Sequence, residues 1–107
     1  MSQEKPYNII DCSQVEVKEW LQETDICMVP VGSCEQHGNH LPLRTDSITA
    51  EVITGRAAKK AKVPHTPLVW AGYSPQHMRE VGSGAGTITF RSATYQALLY
   101  DIGRSLI

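Results

Sequence analysis

Apolar residues recur at helical spacing in some parts of the chain and form short continuous runs in others. The first helix is predicted over about 14–23, because Ser13 and Glu16 stand at capping-box spacing before an apolar face. That face consists of Val17, Trp20 and Leu21. The run 26–31 that follows is apolar throughout and too short for a helix, so it predicts a buried strand.

A longer helix with a second strand behind it is predicted in the middle of the chain. Asp46 or Ser47 can act as the N-cap, and the helix is predicted to continue to about Lys62, before two prolines end it. Its apolar stripe consists of Ile48, Val52, Ile53, Ala57 and Ala61. The run 68–71 predicts a second strand. A strand, a crossover helix and another strand form a βαβ unit, which predicts an α/β fold with parallel strands.

The last part of the chain combines a glycine-rich segment, a third strand and a third helix. Residues 82–86 are rich in glycine, but Thr87 stands where a G-x-G-x-x-G phosphate motif requires glycine, so a loop beside a substrate site is favoured. Residues 87–90 alternate as a strand does, and Ser92 can cap a helix. The apolar face of that helix consists of Tyr95, Leu98, Leu99, Ile102 and Leu106.

The third helix reaches Ile107 with its apolar face still running and without a glycine or proline stop signal. Three short strands beside an exposed amphipathic helix would leave half of a sheet uncovered, which is costly in a small domain. We therefore expect residues 1–107 to be a single partial domain, the N-terminal fragment of a longer one.

Composition narrows the class of protein. The 107 residues carry a formal net charge of −1, with neither a basic stripe nor a charge block, which argues against binding to nucleic acid or to an anionic membrane. The N-terminus lacks a secretory signal pattern, and no apolar run approaches the roughly 20 residues that span a bilayer. These features predict a cytoplasmic protein.

The three cysteines, Cys12, Cys27 and Cys34, form no C-x-x-C pair, so neither a disulfide framework nor a thiolate zinc site is indicated. Cys34 could act as a nucleophile because it precedes Glu35, but a buried thiol in the core is favoured.

Candidate metal ligands gather after the first predicted strand. Glu35 and His37 are two residues apart, so on an extended segment their side chains leave the same face. Asp46 follows a short loop that can fold back on them. Ligands in open α/β sheets lie beyond the carboxyl ends of strands, where this segment and the loop 72–77 both fall. Carboxylates with imidazoles suit Zn²⁺ or Mn²⁺ better than Ca²⁺, which prefers all-oxygen cages.

The same residues carry a family resemblance. The segment 35–43, Glu-Gln-His-Gly-Asn-His-Leu-Pro-Leu, together with Thr45 and Asp46, closely resembles the signature of the creatininase (creatinine amidohydrolase) family. The resemblance continues through 72–78 and 86–90. It implies a parallel-sheet, three-layer α/β/α fold, of which this chain would hold the N-terminal portion. It also implies a metal-dependent hydrolase, usually binuclear, that assembles as a homo-oligomer.

The resemblance further implies roles for individual residues. Asp46 is expected to bridge two metal ions, with Glu35 and His37 each on one of them. His77 matches a family position near the substrate pocket and is expected to donate a proton or to hydrogen-bond the substrate; the alternative is an exposed loop histidine. His40 is either an outer donor that orients a ligand carboxylate or, slightly favoured, a polar loop residue.

The expected reaction is attack by metal-activated water on a small amide or cyclic substrate, and ring-opening of a keto-inositol is a second possibility that the family resemblance implies. Two alternatives from other classes stay open. The chain could be a non-catalytic remnant or subunit that packs against a partner, or a small-molecule binding module that uses the glycine-rich loop without metal.

Overall fold

The computed structural model describes residues 4–78 and 85–107. Within them, three α-helices are joined by extended segments, and two short 3-10 turns lie at Ile9–Asp11 and Pro75–Met78. The helices are α1 (Gln14–Glu23), α2 (Thr45–Ala61) and α3 (Ser92–Leu106). The predicted glycine-rich loop falls outside the described residues at 82–84.

Helix α1 has the bounds that the sequence predicts. The Ser13 hydroxyl accepts a hydrogen bond from the Glu16 amide at 3.2 Å, and the Glu16 carboxylate accepts one from the Ser13 amide at 2.9 Å, which completes the capping box. Trp20 is buried, and its indole nitrogen donates to the Pro6 carbonyl at 2.9 Å. The prediction for Leu21 is wrong, because 64% of this residue is exposed.

Helix α3 begins one residue before its predicted start and α2 begins two to three residues before its own, and their predicted side-chain caps are absent. Arg44 is the N-cap residue of α2 and Arg91 that of α3, and neither forms a side-chain capping bond. Asp46 therefore lies in the first turn of α2 rather than before it. Its carboxylate accepts a hydrogen bond from the Ser33 hydroxyl at 3.0 Å, so the tertiary contact replaces the predicted cap. Ser92 is likewise the first residue of α3.

Three extended segments, the first at 28–31, the second at 65–72 and the third at 87–90, pair through isolated bridges, and the first two pair in parallel as the βαβ pattern predicts. Met28 pairs with His65 and Val31 with Val69. The pairing between the first two segments therefore begins at His65, three residues before the predicted second strand at 68–71. In the third segment, Thr89 pairs in parallel with Gly72, while the neighbouring residue forms an antiparallel bridge.

The start of α2 is held against the first extended segment by a buried hydroxyl. Ser47 is 4% exposed, and its Oγ accepts from the Ser33 amide at 3.1 Å and lies 2.9 Å from the Ser33 carbonyl and 3.2 Å from that of Trp70. Gly32 permits this approach: a Cβ there would lie 2.6 Å from the Cα of Ser47. One hydroxyl thus joins the helix to two extended segments.

The described residues bury few apolar side chains, namely Trp20, Ala58, Val63 and Ala71. The predicted stripe of α2 is largely exposed, with Ile53 at 62%, whereas the side of α2 that is buried carries Ser47 and Ala58. The five predicted face residues of α3 are all half-buried, and the other residues of this helix are exposed. The radius of gyration is 16.4 Å, against about 13 Å for a compact domain of this size, so the apolar faces are only partly covered.

No helix in the described ranges has the length and apolar character needed to cross a membrane.

The Gly32–Ser47 contact predicts a difference between two Gly→Ala substitutions. Gly32→Ala should lower the free energy of unfolding by about 1–3 kcal/mol, because its methyl group would meet the α2 backbone. Gly55→Ala is the matched control, since nothing lies within 4 Å of a Cβ there, and it should raise stability by about 0.5–1 kcal/mol through helix propensity. Urea unfolding followed by circular dichroism measures both changes. Equal stability of the two variants would contradict the close-contact interpretation.

Candidate metal centre

Three potential ligands converge beyond the ends of the paired segments. Glu35 and His37 lie on the extended stretch after the first segment, and Asp46 lies in the first turn of α2. One ligand atom from each residue lies within 4.8 Å of the others. The structure therefore brings together the three residues that the sequence predicts as metal ligands.

The imidazole of His37 is the most informative group in this cluster. Its Nε2 lies 3.3 Å from an Asp46 oxygen and 4.0 Å from a Glu35 oxygen, contacts that are ionic only when the ring is protonated, and this nitrogen is buried and forms no hydrogen bond. A buried nitrogen without a partner is costly unless another group satisfies it. A cation held by the two carboxylates would satisfy it, because neutral imidazole has a lone pair to offer.

Neighbouring hydrogen-bond donors stabilise the ionised form of Asp46. The pKa of its carboxyl lies below the ordinary value of 3.8, first because the adjacent Glu35 carboxyl can donate a hydrogen bond to it and second because the Ser33 hydroxyl does so. The charge of a protonated His37 adds to this effect. Asp46 is therefore available as an anionic ligand over the physiological pH range.

His77 joins the same cluster from a loop more than 40 residues from Glu35 in the sequence. Its Nε2 lies 3.4 Å from a Glu35 oxygen, and its Nδ1 lies 3.0 Å from the side-chain nitrogen of Gln36. The ring is mostly buried rather than an exposed loop histidine. His40 is exposed.

Two threonines of the third extended segment connect the loops that carry these groups. The hydroxyl of Thr87 accepts a hydrogen bond from the Gln36 amide at 3.0 Å, and that of Thr89 accepts one from the Ser74 amide at 2.7 Å. The backbone of Ile88 between them donates to the Cys34 carbonyl at 2.8 Å. This segment therefore holds the Glu35 loop and the His77 loop side by side.

The sequence did not predict four residues that support the site, namely Ser33, Gln36, Thr87 and Thr89. Gln36 stands inside the recognised motif, but its partner His77 is remote in sequence, so spacing could not reveal the contact. The Cys34 thiol is half-buried and donates to the Gly86 carbonyl at a sulfur–oxygen distance of 3.6 Å, as a structural thiol would.

An open cavity of about 360 Å³ lies against the cluster, with the carboxylates of Glu35 and Asp46 in its wall. The loop after the second extended segment contributes Tyr73, Ser74 and Gln76 to the wall of this cavity. A larger cavity, of about 730 Å³, lies near Trp20 and away from these ligand groups. The smaller cavity is the better candidate for a substrate site, because function follows the convergent polar groups rather than volume.

Comparison with curated proteins identifies relatives of this chain. A family model described as creatinine amidohydrolase matches residues 11–107. A mycofactocin precursor peptide peptidase of Mycolicibacterium smegmatis is 37% identical over 84 residues, covering 73% of this chain and 32% of that protein. A creatinine amidohydrolase of Pseudomonas putida is 30% identical over 82 residues, covering 76% and 32%. A 3-dehydro-scyllo-inosose hydrolase of Thermotoga maritima is 31% identical over 62 residues, covering 58% and 20%.

Solved creatininase structures match the backbone. A creatininase of Zn-Zn type has a TM-score of 0.82 at 26% identity, covering 96% of this chain and 41% of that one. A manganese creatininase has a TM-score of 0.81 at 26% identity, covering 95% and 40%. These matches confirm the predicted three-layer α/β/α fold class. The chain spans no more than about a third of the length of these curated relatives. Since the family model matches nearly the whole chain and the backbone superposes on creatininases, the chain belongs to the creatininase family.

Proposed function

We propose that this chain forms the metal-binding part of a metal-dependent hydrolase that acts on a small amide or cyclic substrate. The observation that supports this function best is the convergence of Glu35, His37 and Asp46 around a buried His37 nitrogen that has no hydrogen-bond partner. Two carboxylates and an imidazole form a donor set suited to Zn²⁺ or Mn²⁺. Relatives in the solved structures are described as manganese and Zn-Zn forms, in agreement with that donor set.

The three residues would hold the metal, with Asp46 as the ligand that bridges two ions if the parent site is binuclear. A bound divalent cation supplies Lewis acidity and lowers the pKa of water to near neutrality. Ser33 orients the Asp46 carboxylate through its hydroxyl, and Glu35 is held between two imidazoles. These contacts keep the carboxylate oxygens of Glu35 and Asp46 close to each other and to His37.

His77 is proposed as the residue that gives a proton to the leaving group. Its Nε2 lies next to Glu35 and close to the cavity that the ligand residues border. General acid catalysis requires such a group within hydrogen-bond reach of the reacting atoms, and imidazole exchanges protons near neutral pH.

The substrate class follows from the relatives only in outline. Their names describe a precursor peptide peptidase, a creatinine amidohydrolase and a 3-dehydro-scyllo-inosose hydrolase, all of which are hydrolases. An amide is the first candidate. Ring-opening of a keto-inositol is the second, supported by the 31% identity to the inosose hydrolase. Homo-oligomeric assembly and cytoplasmic location stay predictions.

Metal uptake tests the ligand assignment. His37→Ala should lower Zn²⁺ or Mn²⁺ affinity at least about 100-fold, because loss of a direct ligand costs more than loss of the partners that orient ligands, which is worth 10–100-fold. His40→Ala removes an exposed imidazole of the same loop and is the matched control, expected to change affinity little. Elemental analysis after dialysis and calorimetric titration measure both. Equal metal content in wild type and His37→Ala would refute the assignment.

The Ser33 hydroxyl provides a subtler test. Ser33→Ala should weaken metal affinity by about tenfold without unfolding the chain, because Asp46 loses the donor that orients it. Thr49→Ala is the control, since its exposed hydroxyl bonds the Thr45 carbonyl within α2. Calorimetry with Zn²⁺ compares the two. A Ser33→Ala affinity that matches that of Thr49→Ala would show that the hydroxyl does not position the ligand.

Catalysis by these 107 residues alone is expected to be weak. A binuclear centre needs more donors than Glu35, His37 and Asp46 supply. Hydrolysis of a small cyclic amide by the metal-loaded chain should therefore be near background, as measured by product chromatography. Rapid turnover that a chelator abolishes would contradict this expectation. Failure to bind metal at all would instead favour the non-catalytic alternatives.

A further inference from the structure

Gln36 connects the two loops of the site through both ends of its side-chain amide. The oxygen Oε1 accepts a hydrogen bond from the Gly38 amide at 2.9 Å, and the nitrogen Nε2 lies 3.0 Å from Nδ1 of His77. Its own backbone amide donates to the buried Thr87 at 3.0 Å. The residue is therefore held at the backbone and at both polar atoms of its side chain.

The contact with Gly38 determines which way the amide faces. A backbone N–H can only donate, so the atom of Gln36 that faces it must be the oxygen. Gly38 has a φ of +74°, a conformation that favours glycine, and in it the N–H is directed back at the side chain two residues earlier. The amino group of Gln36 is thereby left to face His77.

This orientation has a consequence for the protons of His77. The amide nitrogen of Gln36 carries only donors, so Nδ1 of His77 must accept, and in a neutral imidazole the proton is then on Nε2. That nitrogen lies 3.4 Å from a Glu35 oxygen, which is an acceptor. Two independent neighbours, one on each ring nitrogen, thus favour the same tautomer.

We propose that Gln36 is a positioning residue that keeps neutral His77 in the Nε2–H tautomer, with this proton directed at Glu35. A protonated Nε2 has no lone pair for a metal ion, so His77 stays outside the ligand set. His37, whose Nε2 has no hydrogen-bond partner, keeps that nitrogen available. The two imidazoles beside Glu35 are thereby assigned different tasks, and the use of the His77 proton in catalysis rests on the proposed function.

Histidine nitrogen NMR on the metal-free chain tests this assignment. The spectra are recorded in alkaline buffer, where imidazole is neutral, and the His77 signals are identified by their loss in His77→Phe. The wild type should show the proton on Nε2. Gln36→Glu, which replaces the donor with a carboxylate that only accepts, should move the proton to Nδ1, and Gln36→Met should give a mixture of both tautomers.

Gln76→Glu is the matched control, because it makes the same charge change on the residue next to His77 and in the same turn. It should leave the proton on Nε2. A wild-type proton on Nδ1, or a Gln36→Glu spectrum identical to that of the wild type, would overturn the proposal. If Gln36→Glu does not fold by circular dichroism, the wild type and Gln36→Met decide. Neither metal nor substrate is present, so failure here is distinguishable from failure of the metal-binding proposal.

Discussion

The candidate site depends on one buried hydrogen-bonding hydroxyl, that of Ser47. It lies 2.9–3.2 Å from two polar groups of Ser33 and from the carbonyl of Trp70, so it binds the start of α2 to both parallel segments at once. Asp46 precedes it by one residue and is carried to the ends of those segments. A shift of α2 would move the Asp46 carboxylate away from Glu35. Such a shift is opposed because it would break the hydrogen bonds of the buried Ser47 hydroxyl, and buried polar groups that lose their partners are costly.

A second set of hydroxyl contacts joins the two functional loops. Thr87 and Thr89 lie on either side of Ile88, and their hydroxyls accept hydrogen bonds from the backbone amides of Gln36 and Ser74. Because the two loops belong to different extended segments, no local sequence preference could bring them together. The hydroxyls satisfy loop amides that have no strand partner, and in doing so they place His77 against Glu35.

Much apolar surface of the described chain stays exposed. The α2 stripe, Trp70 and Tyr73 face outward, while the buried apolar set is small. The relatives and solved creatininases are about two to five times as long as the part matched here. Their additional chain offers a source of cover for such surfaces in an α/β/α sandwich, in which helices pack on both faces of the sheet.

Sequence by itself determined the local and periodic features. The α1 capping box, the α3 face and the parallel order of the segments follow from spacing, because caps and amphipathic faces depend on residues a few positions apart. The placement of Glu35 and His37 on one face is likewise a local feature, because side chains alternate along an extended segment. The family motif added Asp46 to Glu35 and His37 as a predicted metal ligand.

Tertiary structure alone decided the rest. It moved the start of α2 so that Asp46 accepts a hydrogen bond from Ser33 instead of capping the helix, and it began the pairing of the first two extended segments at His65. It also left Leu21 and the α2 stripe exposed and brought Gln36 to His77 across 41 positions. Each of these outcomes depends on which distant surfaces and polar groups meet, and hydrogen-bond partners that are remote in sequence leave no periodic trace along it.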